Sequence, residues 1–188
     1  MTGCTTVRLV DSDVTAFSRW SVAPPGPGTP YRFERLPSQQ VMGTQQDQLE
    51  ALARAALARV GMELNPATAR LSVQVMFNTQ IVERWPSGGG WYDGFGFPMS
   101  GFFLEGGSRG AALGLSFPMR FPEPYYQREL SILMRDLGSG ELVFETRAAH
   151  DGVWSDTVAV LPAMLDAALL GFPQPMSGTR RVNIETPR

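Results

Sequence analysis

Apolar positions along this chain recur with two different periods, and the switches between them mark out its elements. Leu49, Leu52, Ala53, Ala56, Leu57 and Val60 return every three or four residues, which predicts an amphipathic helix over residues 45–60. Thr44, with Asp47 three residues on, can cap its first turn, and Gly61 can take the left-handed conformation that ends it. Arg54 and Arg59 fall off the apolar stripe, toward water. Leu71, Val73, Val75 and Phe77 then alternate with Ser72, Gln74, Met76 and Asn78, the period of a half-buried strand. Upstream, residues 14–20 read as a first strand, and the run Pro24-Pro25-Gly26-Pro27-Gly28 breaks regular structure. Tyr31 and Phe33 then share one face of a strand over residues 31–35, making a hairpin-like start.

In the second half, Tyr126, Arg128, Leu130, Ile132 and Met134 fall on one face of a long strand. A Gly138-Ser139-Gly140 turn and a return strand over residues 142–148 complete a β-hairpin. Residues 158–170 form a second helical run, with Pro162 tolerable only near its first turn and Gly171 and Pro173 as its stop. Residues 181–185 supply a last strand. The expected fold class is α+β: a single domain with a mostly antiparallel sheet of about five or six strands and the two helices packed on one face. A chain of 188 residues suits one such domain. Residues 1–13 read as a tether and residues 14–188 as the domain.

Composition changes abruptly in the middle. Ten glycines fall between Gly88 and Gly114, and eleven aromatics lie between Trp85 and Tyr126, which marks residues 85–121 as a Gly/aromatic-rich irregular stretch. Trp91, Tyr92, Phe95, Phe97, Phe102 and Phe103 are the candidate partner surface, for a protein, glycan or lipid. The alternatives are that these rings pack on the sheet as an irregular cover or that the stretch stays mobile, since ordering so much glycine is costly.

Charge and chemistry narrow the function by subtraction. The net charge is −2 and every basic side chain is Arg, with no Lys/Arg run to track phosphates, so no nucleic acid partner is expected. No window approaches the roughly 20 apolar residues of a membrane-crossing helix. The one histidine, His150, stands beside Asp151 and five residues before Ser155, the residue types of a nucleophile and base. Three polar residues in a glycine-containing segment after a strand are expected to be a solvated turn. No Cys/His cluster offers a metal site, and Gly88-Gly89-Gly90 lacks the Lys-Ser/Thr of a phosphate loop. No cofactor, no metal and no catalytic residue is therefore expected.

Cys4 is the single cysteine, hence a free thiol, an intermolecular link or a modified residue. Met1-Thr2-Gly3-Cys4 resembles the end of a bacterial lipoprotein signal, whose cysteine becomes lipidated. A wider resemblance rests on Asp13-Val14-Thr15-Ala16-Phe17-Ser18-Arg19-Trp20, the strand 31–35, the hairpin from Glu129-Leu130-Ser131-Ile132 to Gly140-Glu141-Leu142-Val143-Phe144, and Ala168-Leu169-Leu170-Gly171-Phe172-Pro173. With these the chain resembles the bacterial lipoproteins that carry the domain of unknown function 4136. The resemblance implies an α+β lipoprotein of the cell envelope, membrane-held through a lipid anchor at Cys4. Thr5 after the cysteine, where inner-membrane retention would favour Asp, implies the outer membrane, with the domain facing the periplasm. The expected role is a non-enzymatic binding or assembly accessory. A structural or stress-related envelope protein without a discrete ligand, and an envelope hydrolase, are the alternatives.

Overall fold

In chain order the elements are β1 (Val7–Ser18), β2 (Thr29–Phe33), α1 (Pro37–Val41), α2 (Thr44–Arg59), β3 (Met62–Leu64), β4 (Leu71–Arg84), β5 (Gly101–Gly107), β6 (Gly110–Ser116), β7 (Glu123–Asp136), β8 (Leu142–Gly152), α3 (Thr157–Leu169) and β9 (Thr179–Pro187). The computed structural model describes residues 7–21, 23–84, 101–107, 110–116, 123–176 and 178–187. Two compact units are present, Met1–Ile81 with Tyr125–Arg188, and Val82–Pro124.

The first unit is α+β, built on a seven-stranded sheet in the order β3-β2-β4-β7-β8-β1-β9. β2 runs parallel to both β3 and β4, whereas β8 is antiparallel to β7 and β1, and β1 to β9. The sheet is thus mixed and larger than the five or six mostly antiparallel strands expected. The reason is a crossover: parallel neighbours need a long connection, and α1 with α2 supplies one between β2 and β3. β3, at three residues, is too short to show a period. Nor is there a hairpin at the start. β1 pairs with β8 and β9, and the proline-rich run carries the chain to β2 in the other half of the sheet.

β1 begins at Val7, inside the residues read as a tether, and is registered with β9 from Val7–Pro187 to Thr15–Thr179. Its polarity is that of a strand with one wet face. Val10, Ser12 and Val14 are buried, while Asp13 faces solvent and pairs with Arg181 at 3.1 Å. The second unit contains β5 and β6, antiparallel from Gly101–Ser116 to Gly107–Gly110. Part of the stretch read as irregular is therefore a two-stranded ribbon, hidden in the sequence because glycine weakens the strand signal.

Helix ends show how local chemistry shifted the expected boundaries. Thr44 is the first helical residue of α2, and Gly43 (φ 45°) precedes it as the cap. A short helix, α1, ends two residues earlier, so the chain must turn sharply between helices at a φ that glycine tolerates. Gly61 does close α2 with φ +86°, and a Cβ there would meet the Pro27 Cα at 3.3 Å. At α3, Asp156 accepts the Ala159 N–H at 3.1 Å. Pro162 lies in the second turn rather than the first. It leaves the Val158 carbonyl without a helical donor.

The core forms where α2 and α3 cover one sheet face. Leu49, Ala53 and Leu57 of α2 and Val160, Met164, Leu165 and Ala168 of α3 are buried with Val14, Val73, Val75, Leu130, Ile132, Phe144 and Ala148 of the strands. Each large side chain so buried contributes roughly 1.5–3 kcal/mol before conformational entropy is counted. Among the described residues no helix is long and apolar enough to cross a membrane.

The β7–β8 turn is organised by one carboxylate. Asp136 is buried, and its Oδ1 accepts the N–H groups of Gly138 (2.9 Å) and Ser139 (3.0 Å). Arg70 sits 3.6 Å from its Oδ2. The Ser139 N–H, then that of Gly138 and the Arg70 charge, hold the Asp136 pKa below the ordinary carboxylate value against the opposing effect of burial. A depressed folded-state pKa stabilises above the unfolded value and ceases to do so as pH falls through the folded one. Asp136→Ala is expected to cost about 1–3 kcal/mol at neutral pH. The gap from the parent chain should narrow in acid, below the ordinary carboxylate range, in thermal melts recorded as a function of pH.

Candidate functional site

Three places in the first unit combine polar side chains with space or burial. The first is a buried polar row across β7, β8 and β1. Arg128 is only 1% exposed; its Nε donates to Thr157 Oγ1 at 3.1 Å, its NH2 to the Trp154 carbonyl, and its guanidinium lies 5.0 Å from the Tyr126 ring centre. His150 is the register partner of Arg128 and is likewise buried. Continuing the Asp13–Ala149 register by one residue places Ser12 across from His150.

His150 therefore belongs to a strand and not to the solvated turn that the sequence suggested. The alternation of β8, with Thr146, Ala148 and His150 all buried, turns it to the helix-covered face, while Asp151 and Ser155 are exposed. The three residues are not assembled into a catalytic set. The His150 Nδ1 lies 2.6 Å from the Asp11 carbonyl oxygen, and a carbonyl only accepts, so Nδ1 carries the proton. Nε2 is then a buried acceptor without a partner among the described residues, and Gly152 leaves it room, since a Cβ there would sit 3.2 Å away. A serine, a histidine and a nearby carboxylate are thus side by side, but the imidazole is buried and lines neither of the cavities described below.

The second place is an open groove of about 910 Å³ between the N-terminal halves of α2 and α3, over β4 and beside α1. Leu49, Leu52, Phe77 and Leu161 give it apolar walls, and Leu36, Met42 and Val158 lie exposed along it. Polar contributions come from hydroxyls and amides, including Ser38, Gln45, Gln48 and Thr157; among the described residues no titratable side chain lines it. Gln39 and Gln46 both donate to the Val75 carbonyl, at 2.7 and 3.3 Å, which anchors α1 and the start of α2 to β4. The charges of this end of α2 are engaged with one another. Arg35 binds Glu50 at 2.7 Å and Asp47 at 2.6 Å, and these two carboxylates, Glu50 foremost, raise its pKa further.

On the opposite sheet face a smaller recess of about 250 Å³ is lined by Asn78, Gln80, Gln127, Glu129 and Asp151. Glu129 is paired there with Arg147 at 2.9 Å. Among the described residues no three His, Cys, Asp or Glu side chains gather as metal ligands.

Of the residues singled out by sequence, Cys4, Trp91, Tyr92, Phe95 and Phe97 lie outside the described residues. Phe102 and Phe103 are in β5, at register positions opposite Leu115 and Gly114. The groove escaped sequence reading because its walls come from four elements. Its local trace is the oddity of Leu36 and Met42, exposed apolar residues in a segment without a period.

Replacing His150 by Ala is expected to destabilise the fold, because the substitution opens a cavity and frees the Asp11 carbonyl. The cost should be at least about 1 kcal/mol. Asp151→Ala and Ser155→Ala, both at exposed positions, should stay within about 0.5 kcal/mol. Chemical denaturation of the three variants measures this, and equal effects would contradict the burial difference.

Among solved structures the chain is similar to a PDZ domain protein from Parabacteroides distasonis ATCC 8503, with TM-score 0.54 and 11% identity. That match takes in 96% of this chain and 39% of the other, so this chain spans about two fifths of that protein's length. It is also similar to a PelC dodecamer from Paraburkholderia phytofirmans, with TM-score 0.46, 10% identity, and 87% of this chain against 99% of that one. At such identities the first likeness concerns the fold alone, and the second is too distant to carry an argument. No curated protein matches the chain. The family model described as a domain of unknown function (DUF4136) matches residues 10–174, from within β1 to just beyond α3, and the chain belongs to that family.

Proposed function

We propose that this protein is a non-enzymatic binding or assembly accessory of the bacterial cell envelope. In this reading it is held at the outer membrane by acyl chains on Cys4 and presents the α2–α3 groove to a partner. The observation that carries the binding role is the groove's lining: apolar walls with neutral amides and hydroxyls and, among the described residues, no group able to act as acid, base or charged ligand. Binding sites are typically concave and largely apolar with a few placed polar groups, whereas catalysis needs convergent titratable residues. The anchor is supported by Thr2-Gly3-Cys4. Two or three acyl chains, at about 0.8 kcal/mol per buried CH₂, hold far more firmly than one. Cys4 stands three residues before Val7, where β1 begins, so an anchor there would keep the sheet close to the bilayer.

Two variants test the two halves of this reading separately. Val158 is 69% exposed at the groove, so Val158→Glu should leave stability within about 0.5 kcal/mol while placing a charge against the partner. Crosslinking in intact envelopes should recover a partner with the parent chain and lose it with Val158→Glu; retention would defeat the groove as the binding surface. Cys4→Ser should move the folded protein out of the membrane fraction. Mass spectrometry of the mature N-terminus should find acyl chains on Cys4, and an unmodified thiol would defeat the anchor.

A further inference from the structure

Resting on the reading of the groove as a binding surface, we infer that its occupant is an uncharged apolar peptide segment of a protein partner, gripped through its backbone by the groove's amides. The argument starts from what the groove cannot satisfy. A charged segment would bring ions to a lining whose described residues carry no charge, and Arg35, Asp47 and Glu50 on the neighbouring surface are paired with one another. Burying an unpaired ion is costly, so the occupant is neutral where it is covered.

The polar groups separate the two neutral classes that remain. Gln45 and Gln48 border the groove, and each amide offers both a donor and an acceptor. Thr79 Oγ1, also in the lining, is already shut off from solvent with no partner among the described residues. A lipid acyl chain laid here would strip water from the two glutamine amides and return nothing, leaving several polar atoms unpaired. A peptide backbone carries N–H and C=O groups in alternation, which answers amides of this kind, while its apolar side chains fill the space over Leu52 and Phe77. The concave shape also suits a protruding segment better than a flat bilayer surface.

The test uses the purified full-length chain and a display library of short random peptides. The expected selection is for sequences rich in Leu, Ile, Val and Phe that lack Asp, Glu, Lys and Arg in their central positions. The leading peptide should bind Val158→Glu and the Gln45→Ala/Gln48→Ala double variant about tenfold or more weakly. Methylating the backbone nitrogens of that peptide should weaken it to a similar degree, because its side chains remain and its N–H donors do not. A charged consensus, or equal binding of the N-methylated peptide, would overturn the inference. So would displacement of the peptide by palmitate, which favours an acyl chain, or self-association of the chain abolished by Val158→Glu, which favours a second copy. In each of these cases the groove still binds, so the broader reading survives; only loss of binding at the groove altogether, with the envelope partner retained by Val158→Glu, removes both.

Discussion

The arrangement depends on the burial of α3 between α2 and the β8–β1–β9 half of the sheet. Val160, Leu161, Ala163, Met164, Leu165, Ala167, Ala168 and Leu169 are all buried, so this helix is apolar around most of its circumference and has no stable existence away from its neighbours. Polar contacts fix its position along the sheet. Thr146 donates its hydroxyl to the Ala168 carbonyl near the C-terminal end, Arg128 holds Thr157 at the N-terminal end, and Arg59 of α2 pairs with Asp166 on the exposed side. Once α3 is placed, the gap between its first turns and those of α2 follows, and that gap is the groove.

Arg128 and His150 give the same half of the molecule its buried polar content. A guanidinium taken almost wholly from water is expensive unless its protons find acceptors. Here Thr157 and the Trp154 carbonyl, at the connection from β8 into α3, and the Tyr126 ring of its own strand β7 meet it. Sidedness along β7 and β8 explains why these residues are inside: Arg128 shares its face with Leu130 and Ile132, and His150 with Thr146 and Ala148. Polar type and inward register conflict at both positions, and register wins because moving either strand by one residue would turn out its whole apolar face.

Much of the fold was legible from period alone. The helix at residues 45–60 became Thr44–Arg59, and the hairpin around Gly138-Ser139-Gly140 formed with Gly140 at φ +75°. Long elements with one wet and one dry face announce themselves in this way. The misses share a physical cause, which is that the stabilising partner is distant in sequence. Residues 7–13 look like a polar tether until β9 supplies the partner for Asp13 and the ladder for the backbone. Parallel pairing of β2 with β4 depends on a helical crossover, and α1 is fixed by Gln39 reaching the Val75 carbonyl 36 residues away. His150 was misplaced because Ala148, Ala149 and Gly152 around it weaken the alternation that would have shown it buried. Of the candidate site, the neutral groove could not be seen, since no single segment contains it.

Where β1 sits has a mechanical consequence. It is an interior strand, held by β8 along Asp13–Ser18 and by β9 along Val7–Thr15, and Val7 and Pro187 are direct register partners. Tension entering at Val7 and directed along the strand would act parallel to the ladders. Such a load shears many hydrogen bonds at once, whereas a force across the edge would peel β9 away one pair at a time. The strand nearest to Cys4 is therefore the one whose geometry best resists being drawn out of the sheet lengthwise.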